Sequence, residues 1–130
     1  MERYRDSRPM GRKQKLILEY PWLDIGINNY TLLDGLPIGW TDLILSMCAS
    51  LKPLLQKYNY LDVYGVAEAK EKYGMLRWYD YLDNDDNMPD DIVELVQYYE
   101  DMSRNVCMVC GRLKDTNQDM CDLCQERYCQ

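Results

Sequence analysis

The chain has 130 residues, 47% of them hydrophobic and 28% charged, the composition of an ordinary globular domain, which excludes wholesale disorder. It contains no histidine, which excludes Ser-His-Asp triads, Cys-His dyads, HExxH metal sites and imidazole acid–base chemistry. The net charge of −7 is unevenly spread, because Arg3, Arg5, Arg8, Arg12, Lys13 and Lys15 outnumber Glu2 and Asp6 and leave the remaining chain at −11. An acidic body of this kind repels nucleic-acid phosphates and attracts basic partners.

Residues 1–15 are polar, basic and aperiodic, and read as a flexible arm; electrostatic contact with RNA or another acidic surface is the sharper reading. Between residues 16 and 40 the chain is apolar but broken by Pro21, Gly26, Asn28, Asn29, Gly35, Pro37 and Gly39. That punctuation predicts a short strand or turn followed by irregular chain. From Thr41, a candidate cap, Ile44, Met47, Cys48, Leu51, Leu54, Leu55 and Tyr58 recur at helical spacing. Pro53 is expected to kink this helix or to start a second segment. Cys48 falls on the apolar face and reads as a small buried hydrophobe.

Residues 62–82 alternate in polarity around Lys70–Gly74 and predict a β-hairpin, with Gly74 suited to the positive φ of a tight connection. An acidic loop follows over residues 83–91. Then Ile92, Leu95, Val96, Tyr99 and Met102 define a second helix ending near Arg104, with Pro89, Asp90 and Asp91 in its first turn. Asp80 to Asp101 holds nine acidic residues and no basic one. The plain reading is a solvated loop and an acidic helix face. The functional reading is a phosphate-like array, Asp80, Asp83, Asp85, Asp86, Asp90 and Asp91, that engages a basic groove on another protein. Arg77, Trp78 and Tyr79 beside it are residue types rich in binding hot spots, although one buried and one exposed hairpin face would also account for them.

The C-terminal segment carries the strongest chemical signal. Cys107, Cys110, Cys121 and Cys124 form two C-x-x-C pairs, and Gly111 follows the first. Two residues between cysteines let one tight turn aim both sulfurs inward, with backbone amides donating to the thiolates. Two such pairs complete a tetrahedral four-sulfur shell, which suits a structural zinc ion and leaves no open position for substrate. A disulfide pair, an iron–sulfur cluster and a thiol redox site are the competing readings. Cys129 reads as a spare thiol or a substitute ligand. Around the module Arg112, Lys114 and Arg127 face Asp115, Asp119, Asp122 and Glu126, a poor balance for a phosphate site. No uninterrupted apolar run approaches the ~18 residues of a membrane span, and the N-terminus lacks the apolar stretch of a signal peptide. The expectation is a cytoplasmic protein with no membrane partner. It is an α+β fold: a basic arm over 1–15, a body over 16–105 with a small antiparallel sheet and two packed helices, and a zinc knuckle or ribbon over 106–130.

Several of these features occur in a shared order. Tyr20-Pro21, Gly39-Trp40 opening the long helix, Lys70-Glu71-Lys72-Tyr73-Gly74 with Leu76-Arg77 and Tyr79, then Ser103, Cys110-Gly111 and Cys121/Cys124 resemble a family of small phage and prophage proteins with a C-terminal zinc ribbon. The chain departs from that family at Tyr73 and Trp78, where members usually carry Phe, and in its shorter gap between cysteine pairs. The resemblance implies phage origin and a bacterial host. In size, charge and origin the chain is similar to zinc-containing anti-CRISPR proteins. That likeness implies a non-catalytic inhibitor of a host defence protein, best represented by a Cas9-type nuclease whose basic channel an acidic surface would occupy without direct nucleic-acid binding. A zinc-ribbon nucleic-acid-binding regulator using the basic arm is the alternative.

Overall fold

The computed structural model describes residues 11–27, 30–83, 86–115 and 120–128, the side chains of 127 and 128 excepted. The first ten residues of the basic arm, and Asp85, Asp119 and Cys129, lie outside the described residues. The fold is α+β. Helices α1 (Arg12–Glu19), α2 (Thr41–Lys57), α3 (Asp90–Ser103) and α4 (Asp122–Tyr128) accompany a two-stranded antiparallel sheet of β1 (Tyr64–Lys72) and β2 (Met75–Leu82).

Residues 12–15, given by sequence to the arm, instead open α1. The side chain of Gln14 accepts from the Gly11 amide and closes the first turn, and Leu16 packs on the core. Two ion pairs tie this helix to the body: Lys13 to Asp34 at 2.7 Å, and Lys52 to Glu19 at 3.4 Å. The strand or turn expected after residue 16 is therefore helical first. It is followed by 3-10 turns at Pro21–Leu23, Leu32–Gly35 and Ile38–Trp40, and by one isolated bridge between Asp24 and Thr31. Thr31 caps the second of these turns, with its hydroxyl accepting from the Leu33 amide while Asp34 accepts from its own amide.

Helix α2 buries Ile44, Met47, Cys48, Leu51 and Leu55, the face its spacing predicts. Thr41 is its first residue and not its cap, because the 3-10 turn ending at Trp40 runs straight into it. Pro53 does not split it: the helix runs unbroken from Thr41 to Lys57, with the proline exposed about one turn from the end and Ala49, whose carbonyl it leaves without an intrahelical donor, exposed as well. Counted with the turn that leads in, Ile38–Lys57 is long and apolar enough to cross a membrane by length and composition. The sequence reading missed this because polar residues interrupt every run. In this fold the helix gives its apolar face to the core.

Helix α3 packs on α2 and on β2. The hairpin register pairs Tyr64 with Leu82 and Lys72 with Met75, with a bulge between Val66 and Glu68. It starts two residues later than the sequence indicated and its turn is tighter, since Lys70–Lys72 lie in β1 and the turn is only Tyr73 and Gly74, both at positive φ. β2 turns its unpaired edge to α3, where side chains replace a third strand. The Ser103 hydroxyl accepts from the Leu76 amide, and Glu100 accepts from the Trp78 amide, each at 2.8 Å. The centre is filled by Leu23, Trp40, Ile44, Met47, Leu51, Leu55, Leu76 and Ile92.

Candidate metal centre

The chain leaves α3 at Ser103 and turns at once into the first cysteine pair. Val106 and Leu113 form an isolated antiparallel bridge, and inside it the Cys107 amide donates to the Arg112 carbonyl at 2.7 Å. The Gly111 amide returns to the Cys107 carbonyl at 3.0 Å, and the Val109 amide points at the Cys107 sulfur at 3.4 Å. Gly111 has φ +83°, and a Cβ there would lie 2.9 Å from the Gly39 carbonyl oxygen, so the position excludes side chains twice over. The second pair is built differently. Cys121 precedes α4 and Cys124 lies in its first turn, with the Gln125 amide bonded to the Cys121 carbonyl at 3.0 Å. A helix start takes the place of the second tight turn that the spacing suggested.

The four sulfurs lie within 4.8 Å of one another, and Cys110 Sγ and Cys121 Sγ are 3.5 Å apart. Tetrahedral sulfur at the usual zinc–sulfur distance requires separations of about 3.8 Å, so this cluster could hold a metal ion with little movement. Three of the cysteines are buried and Cys110 is exposed. Burial pushes the Cys107 thiol up, but backbone hydrogen bonds at Cys110, Cys121 and Val109 outweigh it and bring it down to about 6. Backbone hydrogen bonding at Cys124 lowers Cys121. Cys124 moves the other way, to about 12, through burial and the thiols around it. The shifts run in opposite directions because four thiols crowd one space, where ionising one disfavours ionising its neighbours. A C-x-x-C at a helix start also suits redox chemistry. Here Cys121 faces a sulfur of the other pair, which favours ligation.

What fastens this module to the body was not read from sequence. The Gly39 amide donates to the Met108 carbonyl at 2.9 Å, and the Trp40 indole donates to the Val106 carbonyl at 3.3 Å. A Cβ on Gly39 would overlap the Cys107 carbonyl oxygen and lie 2.6 Å from the Met108 carbonyl carbon. The Gly-Trp pair is therefore the seat of the first cysteine turn. The only sequence signal was a glycine beside a tryptophan ahead of a long helix.

The expected docking residues do not share one surface. Trp78 is removed from it: the side chain is 4% exposed, and its indole donates to the Tyr64 hydroxyl at 2.9 Å, because even-numbered positions of β2 face the core. Asp80 is on that inner face and accepts from the Tyr64 hydroxyl at 2.8 Å, and burial raises its pKa. Tyr79 is exposed on the opposite face, and Arg77 is half-buried beside it. Asp91 accepts from the Tyr58 hydroxyl at 2.9 Å and has Lys57 at 3.7 Å, while Asp86 accepts from the Tyr60 hydroxyl at 3.2 Å. Asp83 and Asp90 are exposed, and α3 adds Glu94 and Asp101 on the side it turns to solvent. These four carboxylates are exposed and carry no ion pair among the described residues. Comparison of the chain with protein-family models, curated proteins and solved structures finds no match.

Proposed function

We propose that the protein is a zinc-stapled, non-catalytic inhibitor of phage type that acts in a bacterial host. It binds the basic nucleic-acid channel of a host defence protein, for which a Cas9-type nuclease is the best candidate. The observation that carries this reading is the strip of Asp83, Asp90, Glu94 and Asp101, exposed and without cations opposite among the described residues. Residues 90, 94 and 101 recur with the helical repeat, so a rigid helix presents its carboxylates at intervals of one to two turns. Fixed negative charge of this kind is attracted to channels that hold guide and target strands through their backbones. The zinc ion is structural. Four thiolates fill its shell, so it contributes folding energy and not catalysis.

The test is titration of the purified protein into a reconstituted RNA-guided nuclease reaction. Cleavage should stop near one inhibitor per nuclease, with target DNA binding lost in parallel and neither macromolecule modified. Full cleavage at about tenfold excess would remove this nuclease as the partner. Inhibition at far below stoichiometry would reveal turnover and overturn the non-catalytic reading.

A further inference from the structure

The solvent face of the hairpin has a chemistry opposite to that of the rest of the chain. Cross-strand register places Lys72 beside Met75, Lys70 beside Arg77, Glu68 beside Tyr79 and Gly65 beside Tyr81, all on the face away from the core. Three cations and two exposed tyrosines therefore line it, with Glu68 the one acidic group in the row. Lys70 lies 3.6 Å from Glu68 and 5.9 Å from the Tyr79 ring centre. Tyr81 lies flat enough over Gly65 that a Cβ there would be 2.5 Å from the ring.

One feature of this face is not explained by folding. Tyr73, at the tip, is 88% exposed and sits at φ +56°, a conformation that costs a side chain with a Cβ about 1–2 kcal/mol. Asparagine or glycine is the ordinary occupant of the first position of such a two-residue turn. A tyrosine there buries no apolar surface in return; its nearby cation is Lys72, 5.7 Å from the ring centre. Arg77 is half-buried in this row, its Nε is shielded from solvent, and its charge acts on the Glu100 carboxyl, so the accessible cations of the face are Lys70 and Lys72. At the tip, Glu71 is engaged with the Gly74 amide at 2.8 Å.

We propose that this face, Lys70 and Lys72 with Tyr73 and Tyr79, is a docking surface for single-stranded nucleic acid. Phosphates accept from the two lysines, and bases stack on the exposed tyrosine rings, the combination by which sheet faces hold single strands without sequence preference. The overall charge of −7 opposes this at long range. At physiological salt that repulsion is screened beyond about 8 Å, so the local cations decide contact. The site lies on a different element from the acidic strip and goes beyond the inhibitor reading. An inhibitor docked at a nucleic-acid channel would thereby also touch the strand.

Fluorescence anisotropy with fluorescein-labelled oligo(dT) and oligo(rU), without any partner protein, tests it. The wild-type chain should bind with a dissociation constant of about 1–100 µM at low salt. Two phosphate contacts imply a slope of log affinity on log salt of about −1.4, at about −0.7 per contact. Tyr73→Asn suits the turn better, so it should melt at the same or a higher temperature while binding at least about fivefold more weakly. Lys72→Gln should reduce the salt slope by about 0.7. Asp83→Asn with Glu94→Gln and Asp101→Asn should not weaken oligonucleotide binding, so failure of the acidic-strip reading leaves this result intact. No binding at low salt, or equal binding by Tyr73→Asn and Lys72→Gln, overturns the proposal. If Tyr73→Asn loses only a protein partner, the face is a protein interface and the proposal is equally overturned.

Discussion

Glu100 is the residue in which burial, charge and strand pairing meet. It caps the free edge of β2 by accepting from the Trp78 amide. Burial raises its pKa, and Asp80 and Asp101 nearby add to the rise, while the Trp78 amide and Arg77 oppose it. A carboxyl with a raised native pKa keeps its proton longer when folded than when unfolded, so its contribution to stability is greatest in acid and declines as pH rises through the native value. Glu100→Gln keeps the acceptor and loses the charge. Its stability relative to wild type should therefore improve between about pH 4 and pH 7, read from urea unfolding at each pH. Glu100→Ala leaves the Trp78 amide without its partner and should cost about 1–2 kcal/mol at both. At the metal centre the sign reverses, because protons compete with the metal for thiolates. Cys107→Ser or Cys121→Ser should lower metal content and melting temperature together. Metal loss with an unchanged melt would reject the structural role.

Among the elements, the turn at Gly39 decides how the cysteine module sits. Gly39→Ala would drive a methyl group into backbone at Cys107 and Met108, so the module must shift or the turn must open. A destabilisation of about 1–3 kcal/mol, with weaker metal retention against a chromogenic chelator, is expected. Gly35 has open space where its Cβ would be, so Gly35→Ala is a control that should change neither. The acidic residues are tested at the same scale. Asp83→Asn with Glu94→Gln and Asp101→Asn should slow association with the partner, most at low salt, because rim charges act on encounter more than on the bound state. All three are exposed, so the melt should be unchanged. Equal association rates across a salt series would mean that the strip is only solvated chain.

Over the whole molecule, legibility followed locality. Helix α2 from Ile44 to Leu55, helix α3 and the hairpin were readable because the period of their apolar residues is set by the element itself. The four-cysteine cluster was readable from spacing for the same reason. Three things were not, and each depends on contacts distant in sequence. Helix α1 is held by Leu16 on the core and by the Lys13–Asp34 pair, which its basic composition concealed. The burial of Trp78 and Asp80 follows from which hairpin face meets α3, which alternation alone leaves undetermined. The seat at Gly39 joins residues nearly 70 positions apart.

At this size one hydrophobic core gives modest stability, and a metal ion held by the four clustered cysteines would add to it. Native mass spectrometry of the full chain, purified under reducing conditions, tests that site most directly. One species is expected, carrying a single zinc ion and four deprotonated cysteines, and chelation should convert it to a metal-free form that melts at a lower temperature. A chain that carries no metal with Cys107, Cys110, Cys121 and Cys124 free or disulfide-bonded, or that melts identically after zinc is removed, would contradict the structural metal site.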